Sequence, residues 1–122
     1  MTSTNAPKVL IVEDHPKLAR LTAELVGDCH CDVVGPVHGC EDAFRAAHET
    51  PPDVALIDLS LPDGSGMGIA RRLHADGVRC AVVTAYPMSD RAMDAPEGVA
   101  WFEKPLSHEQ FKQFVADLLQ KA

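Results

Sequence analysis

The chain has 122 residues, 46% of them apolar and 24% charged, which is the composition of one ordinary globular domain. Its formal net charge of −7 argues against nucleic acid as a partner, because no basic stripe is left to neutralise a phosphate backbone. No apolar run is long enough to cross a bilayer and residues 1–5 are polar, unlike a secretory signal, so we expect a cytoplasmic protein without membrane contact.

The cysteines Cys29, Cys31, Cys40 and Cys80, with His30 between the first two, could suggest a metal site. Zinc sites usually show two cysteines separated by two residues, and this spacing does not occur in the chain. Cys31 and Cys80 lie in or beside predicted strands, where a free cysteine packs as a small hydrophobic residue. We therefore expect reduced thiols that bind no metal.

Five short apolar runs alternate with segments of helical periodicity. The apolar runs predict strands at 8–12, 31–37, 53–58, 79–84 and 99–102. Helices are predicted at 16–27, 41–49, 67–75 and 89–95 and after Ser107, the one at 89–95 being short and weak. This alternation within one small domain predicts a doubly wound α/β fold, a parallel sheet with helices on both faces.

Local signals mark the helix starts and the helix faces. Pro16 fits the first turn of a helix capped by Asp14 or His15, and Ser107 with Gln110 forms a capping-box pattern for the last helix. The apolar residues at helical spacing are Leu18, Leu21 and Leu25 in the first helix, Ala43, Phe44 and Ala47 in the second, Ile69, Ala70 and Leu73 in the third, and Phe111, Phe114, Val115 and Leu118 in the last.

Polar residues close most of the predicted strands. Since parallel strands end on the same side of a sheet, these residues are expected to meet there: Glu13, Asp14, Asp58, Thr84 and Lys104. Crowded carboxylates repel one another and raise their pKa values unless a cation lies among them, and oxygen ligands with retained water suit Mg²⁺. The alternative is an ordinary ion-pair network in which Lys104 pairs with an acid.

The motifs at these strand ends are specific in combination: VED at 12–14, LID at 56–58, LPDGSG at 61–66, VTA at 83–85 and KPL at 104–106. They resemble a response-regulator receiver domain of two-component signalling, over nearly all of the chain from Lys8 to the last helix. The resemblance implies a flavodoxin-like sheet of order 2-1-3-4-5. It also implies a receiver domain at 8–122, and we expect the segment at 1–7 before it to be flexible. Because no output domain follows, we expect a stand-alone, single-domain receiver.

The resemblance also implies a chemical role for each matching residue. Asp58 matches the phosphoacceptor, which takes a phosphoryl group from a phosphohistidine. Asp14 and Asp58 would ligate Mg²⁺ together with the backbone carbonyl of Ser60, and Glu13 would act mainly through water. The chemistry agrees, since phosphoryl transfer needs in-line positioning and neutralisation of charge on the phosphoryl oxygens.

Further positions concern phosphoryl binding and switching. Lys104 would hold a phosphoryl oxygen. The family often has a cis peptide before the proline that follows this lysine, and such a bond would aim Lys104 inward. Thr84 would donate its hydroxyl to another phosphoryl oxygen. The conformational switch would involve Thr84 and a rotamer change of Trp101, which stands where the family usually has Tyr or Phe. The alternative for Trp101 is permanent packing in the core. Ser60 and Tyr86 match positions that tune dephosphorylation, and the segment at 86–98 is short for the family.

Three rival functions remain to be compared with the receiver hypothesis. An aspartyl-phosphate phosphohydrolase would need a D-x-D first strand and a cap domain, and a nucleotide or flavin module would need a glycine loop after the first strand. A pseudo-receiver would bind its partners without phosphorylation.

For a receiver the expected partners are a histidine kinase or histidine phosphotransferase and an unknown downstream protein. The chain would be a monomer or weak homodimer. It would not be an enzyme beyond catalysing its own phosphorylation and dephosphorylation.

Overall fold

The computed structural model of the protein describes residues 6–85 and 98–121, with side chains up to residue 117. Over these ranges the strands are β1 (Lys8–Val12), β2 (Asp32–Val37), β3 (Val54–Asp58), β4 (Ser60–Leu61), β5 (Gly64–Ser65), β6 (Arg79–Thr84) and β7 (Ala100–Glu103). The helices are α1 (Pro16–Asp28), α2 (Cys40–Glu49), α3 (Gly66–Ala75) and α4 (His108–Lys121).

Five strands form one parallel sheet of order β2-β1-β3-β6-β7. The short strands β4 and β5 pair separately with each other as an antiparallel hairpin. When this hairpin is left out of the count, β6 and β7 are the fourth and fifth strands of the main sheet. The predicted fold class and the order 2-1-3-4-5 are therefore confirmed.

Most predicted element ends lie within one residue of those observed. The last strand is 100–103 rather than 99–102, because the register Thr84↔Glu103 extends the ladder by one residue at its far end. The first helix continues past Gly27 to Asp28, where the backbone N–H of Cys29 closes the final turn on the carbonyls of Leu25 and Val26. The predicted helix at 89–95 lies outside the described residues.

Two apolar layers cover the two faces of the sheet. All five residues of β3 are buried, and they alternate between the layers as the strand period requires. Ala55 and Ile57 pack with α2 and α3, whereas Val54 and Leu56 pack with α1 and α4. A central strand buried on both faces is the expected consequence of helices on each side.

The predicted capping signals are confirmed. His15 caps α1 by accepting the N–H of Leu18 on Nδ1, at 3.4 Å. Ser107 and Gln110 bond reciprocally, each side-chain oxygen accepting the other residue's backbone N–H at 3.1 Å.

Two predicted apolar faces turn partly outward. Leu21 is 51% exposed and Phe44 is 38% exposed. Helical spacing identifies which residues share one face of a helix. In α1 and α2 that apolar face is wider than the part covered by the sheet, so Leu21 and Phe44 at its border remain exposed. Phe44 is instead covered by the guanidinium of Arg72, 5.9 Å from the ring centroid.

All four cysteines are free, and Cys31 and Cys80 are buried as predicted. Burial raises the pKa of the Cys80 thiol to about 12, so this residue packs as an uncharged apolar group. Within the described ranges, every helix is too short or too polar to span a bilayer.

Candidate phosphoacceptor site

The parallel pairing of β1 with β3 places three carboxylates side by side. Val12 is in register with Ile57, so the residues that follow, Glu13 after β1 and Asp58 at the end of β3, lie next to each other. Glu13 and Asp58 are 6% and 8% exposed, whereas Asp14 faces solvent. Carboxylate oxygens of all three lie within 4.8 Å of one another.

Lys104 brings its ammonium group into this cluster. Its Nζ lies 2.8 Å from Oε1 of Glu13 and 3.3 Å from Oδ2 of Asp58. Its backbone N–H donates to the carbonyl of Thr84 at 2.7 Å, which ties the segment after β7 to the end of β6. The Lys104–Pro105 peptide bond is cis, as the resemblance implied.

The charges of this cluster do not balance. Burial raises the pKa of Asp58, and the neighbouring Glu13 raises it further, against the opposing effects of Lys104 and the Ser60 N–H. Burial alone would lower the pKa of Lys104, but its bonds to Glu13 and Asp58 outweigh this and raise it. One ammonium group thus faces three carboxylates, so an ion-pair network within the described site leaves negative charge uncompensated.

The donor set of this cluster fits Mg²⁺. It offers oxygen atoms alone, and the exposed Asp14 leaves room for the water that Mg²⁺ retains. The acids border a cleft of about 300 Å³ whose wall also includes Ser60, Thr84 and Lys104. The site could therefore hold a hard cation in reach of Asp58.

Gly66 allows the loop after Asp58 to fold back against the strand end. A Cβ at Gly66 would overlap the carbonyl oxygen of Asp58 and lie 2.8 Å from Cγ2 of Ile57. Its N–H donates to the carbonyl of Leu59 at 2.8 Å, and Ser65 caps the helix that begins there. The glycine-rich segment is therefore a turn and a helix start.

Comparison with known proteins identifies the family. The sequence pattern of the response regulator receiver domain matches residues 9–116. The chain belongs to the response regulator receiver family. It is 35% identical over 91 residues to the DNA-binding transcriptional activator DevR/DosR of Mycobacterium tuberculosis, covering 72% of this chain and 42% of that protein. It is 28% identical over 117 residues to the response regulator protein PilR of Pseudomonas aeruginosa, covering 93% of this chain and 26% of that protein.

Solved structures give the same family. A receiver domain from Methylobacillus flagellatus aligns with a TM-score of 0.83 and 25% identity, covering 93% of this chain and 99% of that one. The receiver domain of PhyR from Erythrobacter litoralis aligns with a TM-score of 0.81 and 25% identity, covering 94% and 91% of the two chains.

The two predicted switch residues of this receiver lie on adjacent strands. Thr84 is the last residue of β6 and is 1% exposed, while Trp101 lies in β7 in register with Val82 and is 8% exposed. The indole Nε1 of Trp101 is buried and has no hydrogen-bond partner among the described residues. This packing agrees with the core alternative for Trp101, and its rotation as a switch stays a prediction. Tyr86 lies outside the described residues.

A larger groove of about 550 Å³ lies next to the acidic cleft. Its wall includes Glu13, Asp58 and Lys104, so it is continuous with the acidic cleft. Three leucines of α1 border this groove, namely Leu18, Leu21 and Leu25, and Leu106 borders it as well. The exposed part of the apolar face of α1 therefore faces this groove. Asp58 therefore borders both the acidic cleft and the apolar groove.

Sequence reasoning missed one contact near the site. Asp63 accepts the backbone N–H groups of Cys40 at 2.7 Å and Glu41 at 3.3 Å, at the start of α2. The signal that could have indicated it is Gly39, which occupies the N-cap position and offers no side-chain acceptor. A helix start without a local cap predicts an acceptor from elsewhere in the chain.

Proposed function

We propose that this receiver domain accepts a phosphoryl group on Asp58 from a phosphohistidine donor. The observation that carries the proposal is the buried carboxylate at the end of β3, which Lys104 contacts at 3.3 Å beside two further acids. A carboxylate oxygen of Asp58 would attack phosphorus, forming the P–O bond as the N–P bond breaks. The electron pair of that bond stays with the imidazole, and the product is an acyl phosphate.

The proposed roles follow from charge. Mg²⁺, held by Asp14, Asp58 and the Ser60 carbonyl with Glu13 acting through water, would supply positive charge to the phosphoryl oxygens. Lys104 would hold a second phosphoryl oxygen by moving from its pairing with Glu13. Thr84, at the neighbouring strand end, would donate its hydroxyl to a third. Asp58 and Thr84 are held at strand ends before the donor arrives, so Lys104 is the group that has to change its partner during transfer.

The proposed cellular role is that of a switch or a relay. A histidine kinase or histidine phosphotransferase would supply the phosphoryl group, and a downstream protein would read the phosphorylated surface or receive the group in turn. The domain would catalyse only its own phosphorylation and dephosphorylation, in the cytoplasm. DNA binding is named for DevR/DosR, and we propose no nucleic acid partner for this chain.

The proposal is tested by phosphorylation with a small acyl phosphate in the presence of Mg²⁺, followed by intact mass. We expect one phosphoryl group on the wild type and on Asp53→Asn, and none on Asp58→Asn. Asp53 is the matched control because it is an aspartate at the other end of the same strand and contacts a backbone N–H instead. Fluorescence of Trp101 recorded during the reaction reports whether phosphorylation changes the surroundings of this residue in β7.

Three other outcomes would change the proposal. Phosphorylation of Asp58→Asn would contradict the assignment of the acceptor. Wild type that binds Mg²⁺ but takes no phosphoryl group would indicate strict dependence on a protein donor. Wild type that binds no Mg²⁺ would favour the pseudo-receiver, which acts by protein binding alone.

A further inference from the structure

The segment after the phosphoacceptor is a tight hairpin. Ser60 pairs with Ser65 and Leu61 with Gly64, so Pro62 and Asp63 form its two-residue tip. The base of the hairpin begins at Ser60, whose N–H donates to Oδ1 of Asp58 at 3.3 Å. The backbone carbonyl proposed as a metal ligand therefore belongs to a small, separately paired unit at the edge of the site.

The tip of this hairpin is anchored to another element by one side chain. The carboxylate of Asp63 accepts two N–H groups from the first turn of α2, one on each oxygen, at 2.7 and 3.3 Å. These donors lower the pKa of Asp63, so the carboxylate is charged when it caps the helix. Gly39 permits the approach, because a Cβ there would lie 2.9 Å from Oδ1 of Asp63.

The element that Asp63 contacts is itself fixed to the acidic side of the site. α2 packs on β1, where the fully buried Ala43 shares an apolar cluster with Leu10 and Val12, and Glu13 and Asp14 directly follow β1. The bond from Asp63 to α2 therefore links the hairpin that bears Ser60 to the layer that positions the two acids. The hairpin also packs on the core through Leu61, and the bond from Asp63 is the polar link between its tip and α2 among the described residues.

We propose that Asp63 is a positioning residue for the Mg²⁺ site, holding the Ser60 carbonyl at a fixed distance from the acids of β1. This inference rests on the proposed function, since it concerns the same metal site. Mg²⁺ demands near-ideal octahedral geometry, so a ligand on a loosened hairpin binds it less well. Loss of groups that orient metal ligands typically lowers metal affinity by about 10- to 100-fold.

The test is titration with Mg²⁺ alone, followed by amide chemical shifts in NMR spectra. We expect the dissociation constant to rise on the order of tenfold in Asp63→Ala. Asp63→Asn, which keeps one carbonyl acceptor for α2, should recover part of the affinity. Asp53→Ala is the matched control and should bind Mg²⁺ like the wild type, because Asp53 accepts the Lys8 N–H at the opposite end of β3. Phosphorylation of Asp63→Ala should approach the wild-type rate at saturating Mg²⁺.

A double variant separates positioning from stability. Gly39 is extended, with φ −159° and ψ 176°, so Gly39→Ser in the Asp63→Ala background can supply a local cap to α2. We expect this variant to regain the wild-type melting temperature while Mg²⁺ binding stays weak. Restored Mg²⁺ affinity in the double variant, or equal losses in Asp63→Ala and Asp63→Asn, would overturn the inference. A wild type that binds no Mg²⁺ would instead refute the proposed function.

Discussion

β3 is preceded by one aspartate, Asp53, and ends in another, Asp58, and the two side chains have opposite environments. At the amino end, the exposed Asp53 accepts the backbone N–H of Lys8 on Oδ2 at 2.8 Å. At the carboxyl end, Asp58 is 8% exposed and lies against Glu13, with the Lys104 ammonium group at 3.3 Å. The carboxylate of Asp53 thus links the starts of β1 and β3, whereas the carboxylate of Asp58, at the other end of β3, lies next to a second negative charge.

This difference shows that the amino end of a parallel strand can serve the stability of the fold while its carboxyl end holds the groups suited to binding and reaction. A backbone donor satisfies Asp53 in the folded state, so this residue needs no further ligand. Asp58 is buried with a second acid, which raises its pKa and makes the approach of a cation favourable. Ligands in open α/β folds bind at the carboxyl ends of the strands. The repulsion between Asp58 and Glu13 is located at that end of this sheet.

The largest expected effect follows from removing the ammonium group at the carboxyl end. Lys104→Met should slow phosphorylation by a small acyl phosphate by about 10²- to 10³-fold, the usual loss when one charge-stabilising donor is removed. Lys8→Met, at the amino end of β1, should keep the wild-type rate because its exposed side chain is remote from the site. Initial rates measured by intact mass at saturating Mg²⁺ would check this. A loss below about threefold in Lys104→Met would mean that Mg²⁺ alone neutralises the phosphoryl group.

The next effect concerns the turn that closes behind Asp58. Gly66→Ala should lower the free energy of unfolding by about 3 kcal/mol, at the upper end of overpacking costs, because its Cβ would meet the Asp58 backbone. Gly68→Ala is the matched control in the same helix, where a Cβ meets nothing within 4 Å. That variant should gain up to about 1 kcal/mol from better helix propensity. Urea denaturation measures both, and equal effects would contradict the assigned crowding.

The sequence predicts the carboxyl end of the sheet well because its signals are local. The apolar run at 53–58 ends in an acid, and parallel strands bring such ends together whatever their distance in sequence. The contact of Lys104 with Asp58 follows from that rule, although its shorter bond to Glu13 does not.

Other features depend on contacts that no local pattern carries. The cap on α2 comes from Asp63, 23 residues after Cys40, so Gly39 at the helix start indicates that an acceptor is needed but not which residue supplies it. Leu21 shares a helical face with the buried Leu25 but borders the groove, because periodicity identifies a face and not its extent of cover. The burial of Trp101 likewise depends on tertiary packing, because this residue belongs to the apolar cluster that also contains residues of α3 and β6.

A smaller effect, a gain in stability rather than a loss, is expected from neutralising Asp58. The folded state raises the pKa of Asp58, so this residue favours folding below its unfolded pKa of about 4 and loses that contribution as pH rises. Asp58→Asn should therefore raise the free energy of unfolding without Mg²⁺ by about 1 kcal/mol near neutral pH. The gain should shrink as pH falls towards about 4. Urea titrations of both proteins across this range measure it, and a gain that grows on acidification would contradict the sign.

The smallest effect tests the amino end of the same strand. Asp53→Ala removes the acceptor of the Lys8 N–H and should lower the free energy of unfolding by about 0.5–1 kcal/mol, the net worth of one exposed hydrogen bond. Its Mg²⁺ affinity and phosphorylation rate should match the wild type, since the change lies across the full length of β3 from Asp58. Asp53→Asn keeps an acceptor and should recover most of the loss. A change in Mg²⁺ binding in either variant would show that the two strand ends are coupled, because β3 transmits a displacement along its length.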